Sequence, residues 1–293
     1  GMGPVTYTWY NENDVEIGSG VTYQLTQAEV GLAVYVKASY TDGFGEQESV
    51  DSLPTNTIAN VNDAPVVDAG LSSGEAVDED SAFEYVVPGD AFNDIDGESL
   101  TLSATLSDGS ALPTWLSFNA TTATLSGMPE NGDVGEIEVK VTATDGEGES
   151  VSDTFTLTVN NTNDTPVVSE ALVSAKDEGD AAYDVDLLTG ASDVDAGETA
   201  TLSVANVTYA VDGAESAADL PAGVARDGAT LTVDPTNAVF NTLAAGQTQE
   251  IVVSYDVVDV NGASVSQTAT ITVTGTNDTP VVSEALVSAK DEG

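Results

Sequence analysis

Eighteen residues, 162–179 (TNDTPVVSEALVSAKDEG), recur letter for letter as residues 276–293. Identity over that length makes the chain an array of repeated units, and such self-similarity overrides any domain count taken from length alone. Asn62-Asp63-Ala64-Pro65 is a further instance of the same Asn-Asp-x-Pro signal, and each instance is followed by paired valines: Val66-Val67, Val167-Val168 and Val281-Val282. Proline fixes φ and pushes its predecessor into extended backbone, so these points pass the chain onward from unit to unit. The units are expected at residues 1–60, 61–160 and 161–275, with residues 276–293 as the first strand of a further repeat. The first unit is short and reads as one whose opening strands are missing.

Fifty acidic residues stand against five basic ones, a formal net charge of −45. Nucleic acid and an anionic membrane are therefore poor partners. Carboxylates crowded in one loop lie within the Debye length of roughly 10 Å at 0.1 M salt, so they repel one another almost unscreened unless cations join them. There is no cysteine and no histidine, which removes disulfides, thiolate nucleophiles and imidazole ligands and leaves oxygen as the donor for any metal. No run reaches the roughly 18 apolar residues of a membrane helix, and no signal peptide is read in the sequence; as both ends cut through repeat units, targeting signals are expected outside this segment. Disorder is disfavoured, because 41% hydrophobic residues fall in strand-like periods.

Alternating β-branched and aromatic residues predict strands at 5–10, 23–25, 33–40, 48–50 and 55–59 in the first unit. The second unit gives strands at 83–87, 99–106, 115–119, 123–126, 136–143 and 152–159, separated by Gly, Asp and Asn turns. The third repeats the same marks in the same order: Leu112-Pro113 then Ala123-Thr124-Leu125 correspond to Leu220-Pro221 then Ala229-Thr230-Leu231. The predicted fold is all-β, a linear array of tandem antiparallel β-sandwiches. Trp9 and Trp115 are assigned to cores rather than to sugar stacking.

Three acidic elements recur in the second and third units: the linkers Asn60-x-Asn62-Asp63 and Asn161-x-Asn163-Asp164, the pairs Asp94-x-Asp96 and Asp193-x-Asp195, and the last-hairpin turns at Asp145 and Asp259. Asp145 precedes Asn163 by eighteen residues and Asp259 precedes Asn277 by eighteen, so the closing hairpin keeps one length. Extended backbone turns residues i and i+2 to one side, so each Asp-x-Asp would present both carboxylates together and each linker two amide oxygens. Such an all-oxygen cage suits Ca2+, which takes six to eight oxygens in loose geometry, better than Mg2+, which demands a strict octahedron. Following strand direction, the first joint would use Asn60, Asn62, Asp63, Asp94, Asp96 and Asp145. The second would use Glu79, Asn161, Asn163, Asp164, Asp193, Asp195 and Asp259, and a third would begin with Glu178, Asn277 and Asp278.

The linker and Asp-x-Asp pattern resembles that of cadherins, whose calcium ions rigidify the joints between domains. The second unit (DEDSAFEYVV, FNDIDGESLTL, LPTWLSFNATTATLSGMP) is similar to dystroglycan-type cadherin-like domains, the third (VDLLTGASDVDAGETATLSV, VSYDVVDVNGASVSQTATITVTGTNDTP) to VCBS repeats, and the first to bacterial Ig-like repeats. Such mixtures occur in giant RTX-type adhesins. The resemblance implies type I secretion, display at the bacterial outer surface, and service as a monomeric, calcium-stiffened extender whose partners are adjacent repeats of the same chain and whose distal ligand lies outside this segment. Gly275 in place of the first linker asparagine, and Lys176-Asp177-Glu178 in place of Asp78-Glu79-Asp80, depart from the pattern. An adhesive module binding a carbohydrate or protein ligand is the alternative, with the polar stretch 212–221 as its one longer loop. An enzyme is disfavoured: in so acidic a chain some carboxylate pair always sits at glycosidase spacing, which makes the pair uninformative.

Overall fold

In the computed structural model, residues 3–214 and 217–279 are described. Most of the C-terminal copy expected to open a further repeat, with Val281 and Val282, lies outside them, as do Glu215 and Ser216 of the longer loop. The chain divides into two compact units, residues 1–160 and 161–293.

The first unit begins with β1 (Thr6–Asn11), β2 (Glu16–Ser19), β3 (Val34–Thr41) and β4 (Gln47–Asp51), one antiparallel sheet in the order β2-β1-β3-β4. Two expected strands are absent here. Residues 23–25 join no ladder, and 52–58 only run beside β3, with Ser52 N–H donating to Val36 O, Thr55 N–H to Val34 O and Ile58 N–H to Leu32 O. Pro54 has no N–H to give and breaks the ladder there. No second sheet faces this one among residues 3–60, and Val34 is the hydrophobic residue fully buried in it. Trp9 is half-buried, stacked on Tyr23 with its Nε1–H donating to Gly20 O at 2.9 Å. A short 3₁₀ turn, Gln27–Glu29, is capped by Thr26, whose N–H and hydroxyl both donate to Glu29 Oε2.

The rest of the first unit is a sandwich built from β5 (Val66–Val67), β6 (Gly74–Asp78), β7 (Phe83–Val86), β8 (Phe92–Asn93), β9 (Thr101–Leu106), β10 (Leu116–Asn119), β11 (Thr124–Gly127), β12 (Gly135–Thr144) and β13 (Ser150–Asn160). One sheet runs β6-β13-β12-β9 and the other β10-β11-β7, with β5 paired to β8. The second unit has β14 (Val167–Val168), β15 (Leu172–Asp177), β16 (Tyr183–Asp186), β17 (Ala191–Ser192), β18 (Ser203–Val211), β19 (Val224–Asp227), β20 (Thr230–Val233), β21 (Thr248–Val258) and β22 (Ser264–Thr274). Its sheets run β15-β22-β21-β18 and β19-β20-β16, with β14 paired to β17, so the two sandwiches share one topology strand for strand. In both, the second strand after the linker pairs parallel to the last strand, β6 with β13 and β15 with β22.

Period-two patterning produces these layers. In β21, Ile251, Val253, Tyr255 and Val257 are buried while their neighbours are not, and β22 answers with Ala269, Ile271 and Val273. The first sandwich closes Phe83, Tyr85, Leu116 and Leu125 of one sheet onto Val139, Val141, Phe155 and Leu157 of the other, with Trp115 packed at the edge of the cluster. Each such side chain contributes about 1.5–3 kcal/mol on burial. Gly127 shows how close that packing is: a Cβ there would lie 1.9 Å from Trp115 O.

Candidate metal centre

The linker, the β8 turn and the β12–β13 hairpin converge at one pole of the first sandwich. Asp145 follows β12 and folds the hairpin by accepting, at Oδ1, the N–H groups of Glu147, Gly148 and Glu149 at 3.0, 2.7 and 2.8 Å. Its Oδ2 accepts Nδ2–H of Asn62 at 3.0 Å. Those bonds, the one from Asn62 foremost, hold its carboxyl below the usual range although burial opposes the shift. Asp63 N–H donates to Asp96 Oδ2 at 2.7 Å, and Asp96 N–H to Asp94 Oδ1 at 2.8 Å. Asp94 and Asp145 are each only 7% exposed. Three oxygens at this pole, Asn62 Oδ1, Asp94 Oδ2 and Asp96 Oδ1, are buried and accept no hydrogen bond within the protein.

The second sandwich repeats the arrangement. Asn163 Nδ2–H donates to Asp259 Oδ2 at 2.8 Å, Asp164 N–H to Asp195 Oδ2 at 2.9 Å, Asp195 N–H to Asp193 Oδ1 at 2.9 Å, and Asn161 Nδ2–H to Asp195 Oδ1 at 2.9 Å. Asp259 Oδ1 accepts from the N–H groups of Asn261, Gly262 and Ala263. Carboxylate oxygens of Asp193, Glu198 and Asp259 lie within 4.8 Å of one another. Burial first, then the charges of Asp195, Asp193 and Asp259, push Glu198 above the ordinary carboxyl range, whereas the hydrogen bond from Asn163 leads those that hold Asp259 below it.

The structure brings most of the expected ligands together within each sandwich but differs in their local geometry. Asp94-x-Asp96 and Asp193-x-Asp195 are turns rather than extended backbone: the first aspartate of each accepts the N–H of the second, and Gly97 N–H closes back on Asp94 O. Aspartate competes with ladder pairing by bonding its own backbone two residues on, which is the reason. Asn62, Asn161 and Asn163 each donate an NH2 hydrogen to a carboxylate, because carboxylates only accept, while Asn62 Oδ1 stays bare. Asn60 Oδ1 instead accepts from Gln27 Nε2.

Glu79 and Glu178 occupy the opposite poles of their own sandwiches, about 33 Å of strand away. Glu79 N–H donates to Asn160 O at the end of β13 and Glu178 N–H to Thr274 O at the end of β22, and the two residues are 1% and 7% exposed. Thr276 N–H reaches Glu178 Oε2 at 3.2 Å, while Glu178 Oε1 is a buried oxygen with no hydrogen bond. Asn277 Nδ2–H donates to the main chain at Asp278 O, and both residues are exposed.

Four members of these poles were not among the expected ligands. Glu98 accepts Gly146 N–H at 3.1 Å, and the hydrogen bond it shares with Glu147 raises the latter's carboxyl pKa. Their counterparts are Glu198 and Asn261, joined by an Asn261 Nδ2–H to Glu198 Oε1 bond of 2.9 Å. A glutamate two or three residues past each Asp-x-Asp, in DIDGE and DVDAGE, was the available signal. Basic residues do not balance these poles: Lys37–Asp51, at 3.5 Å, is the ion pair among the described residues.

Two consecutive sandwiches of one topology, each with an oxygen-lined pole, define the class as an all-β chain of tandem antiparallel β-sandwiches. The profile of a family described as Putative Ig domain (He_PIG) matches residues 64–160, the first complete sandwich. No curated protein matches the chain. Among solved structures it is similar to mouse cadherin-23 EC22-24, at 18% identity over 92% of this chain and 86% of that one with a TM-score of 0.47. It is also similar to mouse clustered PcdhgC3 EC1-3 (14% identity, 92% and 89% coverage, TM-score 0.44) and, over 39% of its length, to an endo-fucoidan hydrolase of glycoside hydrolase family 107 (19%, TM-score 0.33). These are likenesses of chain path only. Among the described residues no helix is long and apolar enough to cross a membrane.

Proposed function

We propose that the chain is a calcium-stiffened extender segment of a bacterial surface adhesin. Asp94 carries the reading: a carboxylate 7% exposed, with Oδ2 unpartnered at the pole where Asn62 Oδ1 and Asp96 Oδ1 are equally unpartnered. A buried charge is costly unless paired, and an oxygen-loving divalent cation is the partner such a donor set accepts. Asn62, Asp94, Asp96, Glu98 and Asp145 would hold it in the first sandwich, and Asn163, Asp193, Asp195, Glu198 and Asp259 in the second. The ion would supply charge neutralisation and would tie linker, turn and hairpin together. Octahedral Mg2+ fits this turn-built cage less well.

An ion at each pole would fix linkers that would otherwise bend, and a chain of such units would span distance between an anchor and a distal ligand-binding region. The sequence likeness to RTX-type adhesin repeats supports a secreted, outer-surface, non-enzymatic monomer whose nearest partners are its own neighbouring repeats. The test is thermal unfolding in millimolar CaCl2 and in excess EGTA. Ligand at 100 times its Kd adds about 2.7 kcal/mol per site, so Tm should fall by several degrees on chelation. Identical melting curves would overturn the calcium reading.

A further inference from the structure

The two poles differ at one hairpin position. Glu147 stands two residues after Asp145, and Asn261 stands two residues after Asp259, each with its N–H on the aspartate's Oδ1. An ionised Glu147 has no hydrogen to give to the linker amide, and in the first pole Asn62 Oδ1 accepts no bond. An amide does have hydrogens: Asn261 donates to Asn163 Oδ1, the counterpart of that bare oxygen, and to Glu198 Oε1 at 2.9 Å. The first pole thus keeps open an oxygen that the second has already capped. Counting only the Asp-x-Asp turn and the hairpin, it also carries one more carboxylate, Asp94, Asp96, Glu98, Asp145 and Glu147 against Asp193, Asp195, Glu198 and Asp259.

Resting on the calcium reading above, we propose that this hairpin position grades the two poles. The amide of Asn261 stands in for part of the cation and weakens the second pole, whereas Glu147 leaves the first pole open and tighter, so the two fill at different calcium concentrations. Ligand charge count and site rigidity tune calcium sites over orders of magnitude, and here both differ in the same direction. An ion at the second pole meets two bare oxygens, Asp193 Oδ2 and Glu198 Oε2, but reaches Asn163 Oδ1 only by displacing the hydrogen bond from Asn261; at the first pole three are bare, Asn62 Oδ1 among them.

The experiment is calorimetric titration of the whole chain with CaCl2 at fixed pH and ionic strength, with Asn261→Glu, Asn261→Ser and Glu147→Asn beside the parent. Both side chains are exposed, so the sandwich cores are untouched, and circular dichroism checks the fold before titration. The parent should show two classes of site. Asn261→Glu should tighten the weaker class about tenfold. Asn261→Ser, which removes the amide donors without adding charge, should tighten it in the same direction, and Glu147→Asn should weaken the tighter class by a similar factor. Calcium uptake by the parent with all three variants indistinguishable from it overturns the grading and leaves the calcium reading standing. No uptake by the parent removes both.

Discussion

Gly275 occupies the linker position held elsewhere by Asn60 and Asn161, and its surroundings explain the change. A Cβ there would sit 2.5 Å from Ala244 O and 2.6 Å from Leu243 Cβ, so no side chain fits between β22 and the segment before β21. Gly275→Ala should therefore cost about 1–3 kcal/mol through overpacking, measured by urea unfolding of the second unit. At this scale the aspartates of the turns were legible, because Asp94, Asp96, Asp145 and their counterparts recur at fixed spacing. Glu147 and Asn261 were not, since a repeat read letter by letter hides a position where the letters differ. The hydrogen bonds from the linker amides to Asp145, Asp195 and Asp259 were also out of reach, being decided by which groups can donate across the fold rather than along the chain.

Among the elements, the long strands declare themselves and the short ones do not. Residues 136–143 and 152–159 were expected and lie within β12 and β13, whose burial alternates along their paired length. The two-residue β5, β8, β14 and β17 carry too few residues to show a period, and they exist because linker and turn meet across the sandwich edge. The bulge in β18 is equally local: the register slips between Ala205 and Thr208, Asn206 takes φ 51°, and its Nδ2–H bridges to Asp256 Oδ2 on β21 at 2.8 Å. Leu231 at the middle of β20 is fully buried in the second core. Leu231→Ala should lose about 2–5 kcal/mol, and calorimetry should show it lowering the unfolding transition of the second unit alone, since the first sandwich has its own closed core.

For the whole molecule, the proposed role predicts that calcium governs extension. Small-angle scattering should give a smaller maximum dimension after chelation, and Asp94→Ala with Asp96→Ala should reproduce part of that loss with calcium present; a double variant as extended as the parent would place no stiffening at the first pole. The array character was legible from the repeated eighteen residues, whereas the single open sheet of β1–β4 was not separable from a sandwich by pattern alone, because the sequence of β3 alternates as a covered strand's does although its burial does not. The parallel pairing of each sandwich's entering and leaving strands has a mechanical corollary. Tension along the chain first peels the two-residue β5 or β14, and then pulls β6 against β13 over five paired positions and β15 against β22 over six. Because those strands point the same way while their ends are drawn apart, every rung of each ladder is loaded at once, in shear, instead of unzipping one at a time.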